Sequence, residues 1–71
     1  MTKITIYIDQ LGNQALYVNG DFQHAENKIG IRDIIRVAKE QPIYLEVFEV
    51  NIPESLDWPH DSEDLKVYLI K

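Results

Sequence analysis

The chain predicts an α+β fold, a two-layer sandwich with one helix laid on a mostly antiparallel sheet of four to five strands, in the order ββ(β)αββ. Three observations lead there. Runs rich in β-branched and aromatic residues alternate apolar and polar positions near both ends of the 71-residue chain, the pattern of half-buried strands. One internal stretch carries apolar residues at the i, i+3, i+4, i+7 spacing of a helix and ends at Pro42. Asn19-Gly20 lies between two alternating runs, and that dipeptide suits the two positive φ angles of a type I′ hairpin turn.

Lys3-Ile4-Thr5-Ile6-Tyr7-Ile8-Asp9 alternates strictly and is the first expected strand. Leu11-Gly12-Asn13 supplies a turn, and Gln14-Ala15-Leu16-Tyr17-Val18 alternates again. An odd-length loop pairs Leu16 with Ile6 or Ile8 and keeps the aliphatics on one face; a two-residue loop would scramble the faces. The Asn19-Gly20 turn then pairs Val18 with Asp21 and Tyr17 with Phe22, continuing a short third strand through Gln23. Residues 24–30 are polar and irregular. The helix is expected over 31–41, with Gly30 at its N-cap, Ile31, Ile34, Ile35 and Ala38 on its apolar face, and Asp33 and Lys39 matching its dipole. Ile43-Tyr44-Leu45-Glu46-Val47-Phe48-Glu49-Val50 is the best single strand, and Leu65-Lys66-Val67-Tyr68-Leu69-Ile70 is expected to be the last. A long acidic loop, 51–64, joins them.

This length makes a single domain, 1–71, that buries about 60–65% of its unfolded surface, so its core is marginal and association would help it. With no cysteine there is neither a disulfide framework nor a thiolate metal site, which fits a reducing compartment; with no signal-peptide pattern at the start, the expected location is cytoplasmic. No apolar run approaches the ~20 residues of a membrane span, so no membrane partner is expected.

Charge is distributed unevenly. Between positions 40 and 64 stand Glu40, Glu46, Glu49, Glu54, Asp57, Asp61, Glu63 and Asp64, without a single Lys or Arg. The negative sign of the chain's formal charge, −5 in total, comes from this one region. Such a balance argues against a nucleic-acid binder, which concentrates cations, and suits a ligand for a basic protein surface.

Three constellations bear on function. The aliphatic strand positions (Ile4, Ile6, Ile8, Leu16, Val18, Ile43, Leu45, Val47, Leu65, Val67 and Leu69) can all point toward the helix. The alternate positions then place Tyr7, Tyr17, Phe22, Tyr44, Phe48 and Tyr68 on a face that one helix cannot cover, with Glu46 among them and Lys66 near. Those aromatics are either cross-strand packing or a docking surface for a protein partner or a second copy. In the acidic loop, Trp58 and Leu56 are expected to anchor while Asp57, Asp61, Glu63 and Asp64 stay in water. They serve solubility or complement a basic partner, in the limit mimicking a nucleic acid. Asp57, His60 and Asp61 have metal-binding chemistry but lack the ligand count of a zinc site, so no metal is expected. Finally, Arg32, Arg36 and Lys39 form a basic stripe on the helix.

No Gly-rich phosphate loop, Cys nucleophile or spaced Ser–His–Asp set is present, so neither catalytic residues nor a cofactor are expected. The small, acidic, cysteine-free composition resembles that of phage and mobile-element inhibitors, anti-CRISPR proteins among them. That resemblance implies an inhibitor or adaptor acting on a protein. The expected function is therefore a non-enzymatic protein-binding module using the aromatic face and the acidic loop. The alternative is a nucleic-acid-binding domain using the sheet tyrosines and the basic stripe.

Overall fold

The computed structural model describes residues 2–37 and 42–70. Four strands, β1 (Thr2–Ile8), β2 (Gln14–Val18), β3 (Asp21–Glu26) and β4 (Ile43–Glu49), form one sheet in the order β3-β2-β1-β4. A short helix, α1 (Ile31–Val37), precedes β4, and a 3-10 helix (Ser62–Tyr68) is the last element among the described residues.

The two local hairpins follow from their turns. β1 and β2 pair antiparallel with Ile6 opposite Leu16, across the odd-length loop that parity demands. Asp9 organises that loop, its Oδ1 accepting from the Leu11 and Asn13 amides at 2.9 Å, while Gly12 takes a φ of 86°. Asn19 (φ 52°) and Gly20 (φ 89°) make the expected turn, and Val18 pairs with Asp21 and Tyr17 with Phe22. β3 then runs on to Glu26, beyond the expected end at Gln23, after a register break between Leu16 and Tyr17.

Three expectations are corrected. The sheet is mixed rather than mostly antiparallel, because β4 lies parallel to β1, with Ile4 opposite Leu45 and Ile6 opposite Val47. A chain leaving β3 must cross the whole sheet to reach the far side of β1, and α1 is carried on that crossover. The expected final strand over 65–70 is instead the 3-10 helix: Asp61 caps it, its Oδ1 accepting from the Glu63 amide at 2.9 Å. Leu65 and Tyr68, three apart, turn inward there while Val67 is 82% exposed. The alternation of Leu65 and Val67 is thus broken by a capped turn with acidic residues at its start. The helix is described over Ile31–Val37, and the remainder of the expected helix, 38–41, lies outside the described residues. Gly30 does cap it: its carbonyl accepts from Asp33 N–H, and its own N–H donates to Asp33 Oδ2 at 3.0 Å.

The third correction concerns layers. Ile4, Ile6, Leu16 and Ile29 are buried on the helix face, with Ile8, Val18, Ile34 and Ile43 packed against them. The opposite face, expected to be open, is covered by residues 50–70: Tyr7, Ala15 and Tyr17 are buried with Val50, Ile52 and Leu65, and Phe22, Trp58 and Tyr68 pack alongside. This explains the long connection. It leaves β4 through Asn51 N–H to Tyr68 O, is clamped at Ile52 by both ends of the Gln10 amide, and accepts the Tyr17 hydroxyl at Pro59 O. It then bonds back to β3 and its turn through Phe22 N–H to His60 O and Ser62 N–H to Gly20 O. Each large side chain it buries contributes on the order of 1.5–3 kcal/mol. A small domain gains a second core by this route.

Candidate functional site: the open edge of β4

The covering segment does not reach the whole sheet. β4 pairs only with β1, and among the described residues nothing lies along its outer edge except the end of the chain. There Val50 bridges Leu69, and Ile70 N–H donates to Glu49 O at 3.0 Å. Among the described residues the rest of the edge is open, and its side chains are apolar on the helix face and, apart from Glu46, aromatic on the other. Tyr44 is 50% exposed and Phe48 37%, while Leu45 and Val47 on the helix face are 50% and 53% exposed. Leu45 and Val47 were expected under the helix. Their exposure is consistent with the placement of α1, whose Asp33 and Arg36 line a cleft with Leu16, Gln23 and His24, on the β2–β3 side of the sheet.

On the other face the strip is organised by β1. Lys3 Nζ lies 3.0 Å from Glu46 Oε1, and the Thr5 hydroxyl also donates to that carboxylate. Glu46 raises the Lys3 pKa, first by the hydrogen bond and then by its charge. Glu46 was expected near Lys66, which instead pairs with Glu63 at 2.9 Å. Phe48 stacks on Tyr7 with ring centroids 5.9 Å apart, so one exposed aromatic is braced by a buried one. A shallow groove lined by Lys3, Thr5, Tyr7, Asn19, Ser62 and Glu63 lies on the same face.

The aromatic residues thus divide into two sets. Tyr7 and Tyr17 are buried, edge-on to each other at 5.2 Å, and Phe22 meets Tyr17 at 5.5 Å; Tyr68 is half-buried against the same cluster. These four are packing residues. Burial pushes both buried phenols up in pKa, Tyr17 strongly. Only Tyr44 and Phe48 present an open aromatic surface. Tyr7 and Tyr17, being buried, offer no ring face on which a base could stack.

Asp57, Asp61, Glu63 and Asp64 are exposed and Trp58 is half-buried, as expected, but Leu56, the other expected anchor, is exposed, so of the two only the tryptophan holds this stretch. They do not form one patch by contact: Asp57 lies by Asp9, Leu11 and Glu54, whereas Asp61 and Glu63 border the groove beside Lys3. Arg32 and Arg36 are exposed on the helix, and Lys39 lies outside the described residues.

Asp57, His60 and Asp61 are not brought together as ligands. Among the described residues the one grouping of that kind is His24, Glu26 and Asp33. The His24 ring contacts the Glu26 carboxylate directly, whereas Asp33 is already committed to the Gly30 amide and lies 3.9 Å from Arg36 Nη1. A guanidinium beside the third carboxylate competes with any cation there.

Sequence reasoning put Tyr44 and Phe48 on an open face, where they are exposed, but put Leu45 and Val47 under the helix, where they are not. The signal that distinguishes them is the position of β4 at the sheet edge, a property of the crossover and not of local pattern. No helix of the described residues is long and apolar enough to cross a membrane. Comparison of the chain with protein-family models, with curated proteins and with solved structures gives no match.

Proposed function

We propose that this chain is a small acidic, non-enzymatic protein-binding module whose contact surface is the open edge of β4. The observation that carries this reading is the group of Tyr44, Leu45, Val47 and Phe48, four large side chains exposed two to a face on an edge strand whose outer side is unpaired among the described residues. Natural sheets usually blunt such an edge with charged residues, Pro or a bulge; the free stretch from Tyr44 to Phe48 has no Lys, Pro or bulge, and its one charge, Glu46, is held by Lys3 and Thr5 of β1. Exposed apolar strips rimmed by polar groups mark contact sites, and strand addition to an edge is a recurrent way of holding a protein segment. The acidic segment complements this surface by steering: carboxylates at Asp57, Asp61, Glu63 and Asp64 raise the encounter rate with a basic partner without supplying most of the affinity. An inhibitor or adaptor role fits a module that acts by occupying a surface.

The test is the double substitution Tyr44→Ala with Phe48→Ala. Both side chains are at least one-third exposed, so the fold should survive, as judged by circular dichroism and a cooperative melt. Protein association, read by sedimentation and by capture of a basic binding partner, should fall at least about tenfold, the loss of roughly 1.4 kcal/mol. Unchanged association in a folded double variant would make Tyr44 and Phe48 ordinary surface residues.

A further inference from the structure

We infer that the β4 edge pairs antiparallel with the β4 edge of a second copy, about a twofold axis through Leu45, joining two four-stranded sheets into one. This rests on the reading that the edge is a protein-contact surface and names the partner.

The direction of each backbone group along β4 fixes the register. Thr2 N–H donates to Pro42 O at 3.1 Å and Val50 N–H donates to Ile8 O at 2.9 Å, so even-numbered positions turn toward β1. Odd-numbered ones turn outward, as Glu49 O and Asn51 N–H show by bonding Ile70 and Tyr68. Ile43, Leu45 and Val47 therefore each present one N–H and one C=O to the outside, and no described residue takes them. In an antiparallel pair, outward residues meet as hydrogen-bonded pairs, each exchanging both bonds. A twofold through Leu45 sets Leu45 opposite Leu45 and Ile43 opposite Val47, and every free outward group on these residues is used.

The side chains agree with that register. On the helix face the cross-strand neighbours are Leu45 with Leu45 and Ile43 with Val47, apolar throughout. On the other face Tyr44 stands opposite Glu46, whose carboxylate already holds Lys3 and Thr5 and can accept a phenol hydroxyl. Moving the axis by one residue is worse either way. Through Glu46 it sets two carboxylates face to face at the closely spaced position, and through Tyr44 it opposes Val47 with a position before Pro42, outside the strand. The added strand stops where Ile70 caps Glu49. The far edge offers no such site: β3 is polar, carries the register break and is bonded at Phe22 by the covering segment. Among the described residues each copy has one open apolar edge, and a twofold pairing uses it once and closes.

The chain has no cysteine, so single-cysteine variants report position cleanly. With Leu45→Cys the two Cα atoms fall about 5.5 Å apart, within disulfide range, whereas two copies of Ile43→Cys or of Val47→Cys fall about 14 Å apart. Mild oxidation should crosslink Leu45→Cys several-fold faster than either of the others. The unmodified protein should sediment as a concentration-dependent dimer that tightens as salt rises, because each copy carries −5. Leu45→Lys should leave a folded monomer. A monomer at the highest soluble concentration, or fastest crosslinking at position 43 or 47, would overturn the pairing. The two readings fail separately. If a basic partner is captured by the monomeric chain and lost in Leu45→Lys, the edge is a binding surface without self-pairing. If Leu45→Lys changes neither oligomeric state nor capture, the edge has no such role and both readings fall.

Discussion

Tyr17 ties the two halves of the molecule together. Its ring is fully buried between Tyr7 and Phe22, and its hydroxyl donates to Pro59 O, on the segment that covers the sheet. Burial is the main cause of the raised pKa at Tyr17 and at Tyr7. A phenol that keeps its proton in the folded state at a pH where the unfolded chain has lost it stabilises the fold below the ordinary tyrosine pKa of about 10. That contribution is lost as pH climbs through the folded value. Lys3, raised by Glu46, adds in the same direction. Thermal melts should therefore show stability falling above about pH 10. Tyr17→Phe should cost about 1 kcal/mol at neutral pH by orphaning Pro59 O, and should make the alkaline decline shallower. An alkaline decline of the same steepness in Tyr17→Phe would mean that this phenol does not control it.

At the scale of elements, the capped 3-10 helix is where local pattern misleads. Leu65, Val67 and Leu69 alternate as a strand would, and a strand would bury Leu65 and Val67 alike. In the helix Leu65 is fully buried and Val67 is the most exposed large apolar residue described. Leu65→Ala should accordingly cost about 2–5 kcal/mol, and Val67→Ser less than about 0.5 kcal/mol, in denaturant titrations. Equal costs would restore the strand. The β1–β2–β3 meander was legible because its registers are set by turn chemistry within a few residues: Asn19-Gly20 fixes Tyr17 against Phe22, and parity fixes Ile6 against Leu16. The parallel pairing of β4 with β1 was not, since it depends on where a crossover lands and no short-range signal encodes that. For the same reason Tyr44 and Phe48 could be named as surface aromatics but not separated from Tyr7 and Tyr17. The covering of the latter by residues 50–70 is a long-range fact. The Asp61 cap was hidden too, because an acidic residue in a charge run reads as solvated charge until its hydrogen bond to Glu63 is seen.

For the whole molecule the question is what the concentrated negative charge does once the length of its loop is explained by covering the sheet. Two of its carboxylates have local tasks: Asp61 caps the 3-10 helix and Glu63 pairs with Lys66, the latter an exposed pair of little energetic weight. Replacing Asp57, Asp61 and Asp64 by Asn and Glu63 by Gln removes four negative charges and takes the formal charge from −5 to −1. Asn caps nearly as well as Asp, so the melting temperature should change little or rise slightly as repulsion is relieved. The two kinds of association should then respond in opposite senses at low salt. Capture of a basic partner should slow several-fold, because steering is lost, and the difference should vanish at high salt. Self-association through β4 should instead tighten at low salt, because two like-charged copies no longer repel, and it should lose most of its salt dependence. A variant in which neither association changes at low salt would assign these carboxylates to solubility and to the cap at Asp61 alone.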